Sequence, residues 1–207
     1  MIYDSADKAI REMNRRNLKA FNRLKLAKWD ELSIIKEVGK TYDDSVKFAK
    51  TKYKEIAVEA FTVALYKLKW DPKKATKQAD EDITNDWVLD MLEEADPVTL
   101  YAFLPEAERK KQRLIEALAA TESRNAEIDR ALRYWTQQVG QYALNTVYLA
   151  RLDAFRAAGV KRVRWMTADD ERVCEECGPR HGQIFDIDNV PPPPHRNCRC
   201  WLEPVFD

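Results

Sequence analysis

Glycine is scarce in this chain, with five in 207 residues, and histidine is scarcer still at two. So little glycine leaves few sites for tight turns and disfavours a loop-rich or all-β design. No uninterrupted apolar stretch approaches the roughly 20 residues a membrane helix needs, so no membrane segment is expected. Net charge is also missing. The 35 basic residues balance 35 acidic ones, so bulk charge gives no reason to expect a nucleic-acid or membrane-surface binder. There is no phosphate-cradling glycine loop and no dinucleotide fingerprint. Cysteine does not occur before position 174. Any Cys–His catalytic pair would therefore draw on one short C-terminal stretch containing His181 and His195. Met1-Ile2-Tyr3-Asp4 is not a basic segment leading into an apolar run, so no secretory leader is expected. In a reducing compartment clustered cysteines are more often metal ligands than disulfides.

What is abundant is charge, at 34% of residues, together with 45% apolar residues. That mixture suits long solvated helices around a real core. Ile10, Met13, Leu18, Phe21, Leu24, Trp29, Leu32 and Ile35 recur at mostly helical spacing, which predicts a helix over 7–38 stopped by Gly39. A second helix is expected over 44–69, ended by Trp70-Asp71-Pro72 because the residue before proline is pushed out of the helical region. A third is read over 75–94, with Ile83, Trp87 and Met91 four apart, and a short charged one over 105–120. The longest spans 125–158. There Ile128, Leu132, Trp135, Val139, Tyr142, Thr146 and Leu149 make a heptad-like seam for a long antiparallel neighbour in the same chain. Gly159 is placed to cap it.

After Gly159 the texture changes. The run 161–166 alternates charged and apolar residues as a half-buried strand does, and 183–186 and 201–206 are shorter candidates. The fold class predicted is α+β: a long-helix N-terminal body, 1–159, followed by a small β-rich, zinc-stapled subdomain, 160–207. So small a unit seldom buries enough apolar surface to stand alone.

The support it needs is written in Cys174-Glu-Glu-Cys177-Gly178 and His195-Arg-Asn-Cys198-Arg-Cys200. Two thiolates three residues apart can meet one ion across a turn, with Gly178 free to take a positive φ. Cys198 and Cys200, two apart, share a face if the chain is extended there. The candidate metal ligands are Cys174, Cys177, His195, Cys198 and Cys200, four of which fill a tetrahedral shell, and the cofactor expected is structural zinc. A disulfide formed after release from the cell and four small buried thiols are the other readings of these cysteines. His181 reads as a polar loop residue.

Arg164-Trp165-Met166-Thr167, then Asp170, Arg172, Cys174 and Cys177, then His181-Gly182, then Pro193-Pro194-His195-Arg196-Asn197-Cys198-Arg199-Cys200 resemble the phage head morphogenesis family, the Mu F-like minor head proteins of tailed bacteriophages. The resemblance covers roughly 125–205. The stretches around Glu108-Arg109-Lys110 and Glu116-Ala117-Leu118 resemble the helical part upstream. It implies a non-enzymatic minor capsid component, made in the host bacterial cytoplasm and carried in the virion head interior. The partners implied are the phage portal protein and the inner capsid surface, and packaged DNA as a further contact, with a role in head assembly or DNA delivery. Some relatives carry an enzyme after this domain; none is expected beyond Cys200 here.

Two charge patterns remain. Asp82, Asp86, Asp90 and Glu93 form a carboxylate stripe whose bland reading, a solvated helical face, outweighs a cation site. Residues 1–70 hold 16 Lys and Arg against 10 Asp and Glu, which reads either as a solvated face or as an arm for DNA or a negative portal surface. Trp29, Trp70, Trp87 and Trp135 read as helix contacts. Competing functions are a small zinc-stapled nuclease, with His195 activating water near the acidic helix, and a zinc-ribbon-like nucleic-acid-binding module.

Overall fold

A computed structural model describes residues 4–97, 100–168, 173–196 and 198–206. The motif residues Asp169, Asp170, Glu171, Arg172 and Asn197 lie outside the described residues. The described residues fold as six α-helices followed by a small sheet: α1 (Asp4–Leu24), α2 (Glu31–Lys67), α3 (Pro72–Asp82), α4 (Asn85–Glu93), α5 (Phe103–Ala120), α6 (Arg124–Ala157), then β1 (Arg162–Met166), β2 (Ile184–Asp186) and β3 (Trp201–Val205). No helix among the described residues is long and apolar enough to cross a membrane.

The first helix pair departs from the expected one. Gly39 does not stop a helix; it lies inside α2, and the break falls before Asp30. Asp30 caps α2 by accepting the Ser33 amide at 3.0 Å, which satisfies an otherwise orphaned N–H. Glycine within a helix costs about 1 kcal/mol. Here Ile34, Val38 and Tyr42, buried on either side of Gly39, outweigh that cost. Moving the break changes which apolar residues face inward. Met13, Phe21 and Leu24 are buried, whereas Leu18, Leu32 and Ile35 are exposed. The segment read as one helix over 75–94 is two, because Thr84 Oγ accepts the Trp87 amide at 3.1 Å and starts α4 afresh. Asp71 caps α3 ahead of Pro72, so the Asp-Pro pair expected to end one helix also opens the next.

The seam of α6 packs against α1, α2 and α5. Trp135 lies at its centre with no exposure. Its ring centroid is 5.2 Å from that of Tyr42 and 5.0 Å from that of Phe103, and its indole N–H donates to Ser45 Oγ at 2.7 Å. Gly159, at φ 75°, closes the helix in the left-handed region that glycine enters without penalty.

Glu106 is one of two carboxylates buried among the described residues, the other being Asp96. Glu106 receives both arms of Arg109, at 2.6 and 2.7 Å, and the Tyr134 hydroxyl. Burial pushes its carboxyl up, but the hydrogen bonds from Arg109 and Tyr134 and the charges of Arg109 and Lys110 win and hold it below its ordinary 4.5. A lowered folded pKa means the unfolded chain binds the proton more readily. The network's contribution is therefore full above about pH 4.5 and is lost as pH falls through the folded value. Glu106→Gln is expected to cost about 1–3 kcal/mol at pH 7 and less at pH 3, read from urea unfolding midpoints at the two pH values. An equal loss at both would refute the assignment.

The sheet has the order β2-β1-β3, antiparallel throughout. Val163 and Trp165 of β1 point inward and Arg162 and Arg164 outward, the alternation expected of a half-buried strand. With Val163, Trp165, Ile187 and Leu202, the sheet joins the apolar cluster of the helices. Pro204 is accommodated because β3 is an edge strand, where a missing N–H breaks no ladder.

Candidate metal centre

Polar groups of α6 hold the C-terminal loops in place. Tyr148 donates to the Pro191 carbonyl at 3.1 Å and Arg151 to the Leu202 carbonyl at 3.2 Å. Arg156 reaches the Ile187 carbonyl at 3.3 Å and Asp188 at 3.4 Å. From the other side Arg180 stacks over the Trp165 ring at 5.1 Å and donates to the Pro192 carbonyl at 3.0 Å. The proline run, stiff because its φ angles are fixed, is thus tethered at two carbonyls just before His195.

The first cysteine pair sits in a tight turn. The amides of Cys177 and Gly178 donate to the Cys174 carbonyl at 3.1 and 2.9 Å, and the Cys177 amide also faces Cys174 Sγ at 3.3 Å. Gly178 opens a 3-10 turn and does not take the positive φ expected of it; Gly182, at 77°, does. Cys198 and Cys200 precede β3 rather than lying within it. They nonetheless reach the same place.

All five candidate ligands converge. Cys174, Cys177 and His195 form one group and Cys177, Cys198 and Cys200 another, with the donor atoms of each group within 4.8 Å of one another. Cys177, the most buried of the four cysteines, is common to both. Its sulfur lies 3.2 Å from His195 Nε2 and 3.7 Å from Cys198 Sγ. Thiolates bound tetrahedrally at about 2.3 Å stand roughly 3.8 Å apart, so the sulfur spacing fits a shared ion. His195 Nδ1 lies 2.9 Å from the Arg196 carbonyl. A neutral ring donating there presents Nε2 as a free lone pair toward the sulfurs, the orientation a ligating histidine needs. Among the described residues no disulfide joins the four cysteines.

The electrostatics say why these groups suit a cation. Burial, with the neighbouring Cys200 and Cys174 thiols, pushes Cys177 up to about 12. The hydrogen bond with Cys200 raises Cys198, and its counterpart lowers Cys200 to about 6. Burial works against ionising Cys174, yet the Cys177 hydrogen bonds and His195 leave it lowered. His195 is raised, first by the Arg196 carbonyl and then, against burial, by the Cys174 and Cys200 sulfurs. The sulfurs compete for ionisation because negative charges this close repel. A bound divalent ion removes that conflict, since it lets every ligating thiol ionise at once. The cluster can hold a metal ion.

His181 stays outside the cluster, its Nδ1 2.7 Å from Thr167 Oγ1 at the end of β1. Asp96, not singled out in the sequence, is buried and lines a cavity of about 20 Å³ with Gln141, Asn145, Tyr148, His195, Cys198 and Cys200. That is room for about one water. Its sequence signal was the Asp-Pro pair, which marks a chain reversal but not its burial. Asp82, Asp86, Asp90 and Glu93 are exposed and spread over the end of α3 and α4. They form a solvated face.

Fold and site together define a class: a helical protein whose C-terminal sheet is packed against a Cys/His clasp suited to a metal ion. Residues 109–203 match the family described as Phage Mu protein F like protein, in agreement with the resemblance carried by the motifs. The matched segment runs from α5 through α6 and the clasp to β3. No curated protein and no solved structure matches the chain.

Proposed function

We propose that this chain is a minor head protein of a tailed bacteriophage, a non-enzymatic head morphogenesis component that docks on the portal and the inner capsid surface. The observation that carries the reading is the family match over 109–203, which takes in both cysteine pairs and His195. In this reading residues 1–159 form the docking body. Residues 160–207 are a unit locked by one structural zinc on four of Cys174, Cys177, His195, Cys198 and Cys200. The ion would supply the favourable charge and the cross-link that an apolar core of this size lacks. The protein would be made in the host bacterial cytoplasm and assist head assembly or DNA delivery from the head interior. Co-expression with the cognate portal protein tests this. Portal pulled from lysate should retain the chain, and purified heads should contain it. Absence from both refutes the reading.

A small zinc-stapled nuclease has one observation in its favour, the burial of Asp96 beside His195. Magnesium-dependent plasmid cleavage lost on His195→Ala but kept on Cys174→Ser would establish it.

A further inference from the structure

Residues outside the matched segment carry a second site. Between α1 and α2 lies a groove of about 380 Å³ whose walls include Arg15, Arg16, Lys19 and Arg23. Arg15, Lys19 and Arg23 stand four residues apart and are exposed, so they line one helix face at intervals of about 6 Å. None of the four cations forms an ion pair among the described residues. The acidic face of α4 does not neutralise them, because the described ion pair from α1 runs to α2, from Glu12 to Lys52. Two carboxylates share the wall, Glu12, which Lys52 pairs at 3.1 Å, and Asp44. Arg16 covers the Phe48 ring at 4.2 Å, which leaves no free aromatic face for a base.

Asn17, also lining the groove, is 3% exposed, and its Nδ2 has no partner. The direction of this amide is forced by a chain of donors. Trp135 Nε1 can only donate, so Ser45 Oγ accepts it. The Ser45 hydroxyl proton must then go to Asn17, whose Oδ1 takes it at 2.6 Å. Nδ2 is left as a donor on the opposite side. Asn14 Oδ1 is likewise buried and unpaired, but Asn14 does not line the groove.

We infer that the α1–α2 groove binds the phosphodiester backbone of nucleic acid, without reading its sequence. An unpaired amide donor among four cations demands acceptor oxygens. The 6 Å interval between cations matches about two charge steps of roughly 3.4 Å along one strand. An acidic protein partner fits less well, since protein interfaces centre on apolar anchors and Leu18 is the one large exposed apolar residue of α1 among the described residues.

Fluorescence anisotropy of the full chain with a labelled 25-base-pair duplex tests this. Engagement of four phosphates predicts a log–log salt slope of roughly −3.6, or about a hundredfold weaker binding at 200 mM than at 50 mM salt. Combined R15Q, K19Q and R23Q should flatten the slope to about −1 and weaken binding at least tenfold at 100 mM. Lys73→Gln with Lys74→Gln on α3 should leave the slope unchanged. Asn17→Asp, which keeps an oxygen for Ser45 but removes the donor, should also weaken binding if circular dichroism shows it folded; the triple variant decides otherwise. The inference is overturned by no binding at 50 mM salt, by a slope indifferent to the triple variant, or by polyglutamate of matched length displacing the duplex with the same salt slope.

Discussion

Protein purified without chelator is expected to carry about one zinc per chain, and stripping that ion should unfold residues 160–206 while leaving the six helices intact. The asymmetry follows from where the apolar core lies. Most of the fully buried large side chains, among them Trp135, Tyr42, Phe21 and Phe103, belong to the helices, and Trp165 is the one from the sheet. Structural zinc contributes on the order of 10 kcal/mol in small peptides at neutral pH, more than so small a sheet can replace. Far-ultraviolet ellipticity should fall only slightly on chelation, while trypsin gains access to the sites at Arg162, Arg164 and Arg180. The five donors are not equivalent. Because Cys177 belongs to both ligand groups, Cys177→Ser should weaken metal retention more than about a hundredfold, whereas Cys174→Ser leaves the group of Cys177, Cys198 and Cys200 whole and gives a weaker site. Retained protease resistance after complete metal removal would sink the clasp. Retention in Cys177→Ser equal to that in Cys174→Ser would sink the assignment of Cys177 as the shared ligand.

Trp135→Ala should be the most damaging single change in the helical body, at about 3–5 kcal/mol. The residue is fully buried, its ring packs against Tyr42 and Phe103, and its N–H closes the Ser45–Asn17 chain. Against a total of about 5–15 kcal/mol for a domain, that loss leaves a marginal protein. Trp135→Phe keeps the ring contacts and removes only the donor, so about 1–3 kcal/mol is expected. Urea unfolding followed by ellipticity at 222 nm measures both. A loss below about 1 kcal/mol for the alanine variant would mean that the core is not organised around this residue.

The features read correctly in advance are those whose physics is local. Trp70-Asp71-Pro72 separates two helices because the residue before proline is pushed out of the helical region, and Gly159 ends one because only glycine enters that φ region freely. The alternation of 161–166 predicted β1 for the same reason: successive side chains point to opposite faces. Gly39 misled because glycine permits a helix end without requiring one. The true start of α2 was signalled by Asp30, a cap whose partner, Ser33, is three residues away. Thr84 divided 75–94 in the same manner, and a continuous apolar period masked it.

The clasp was legible at the level of atoms capable of meeting and no further. Spacing says that two thiolates can share an ion. It does not say that Cys177 stands at the junction of two groups, that Tyr148 and Arg180 hold the proline run behind His195, or that Asp96 is buried beside them.

Taken alone, the sequence determined the helical texture, the position of the small sheet and the five candidate donors of the clasp, because capping, strand alternation and ligand spacing act within a few residues. Only the tertiary structure decided that Trp135 reaches Asn17 through Ser45, that the basic face of α1 stays clear of the acidic face of α4, and that α6 braces the C-terminal loops. Those pairings span tens of residues, and an apolar stripe records that a face must be covered without recording what covers it.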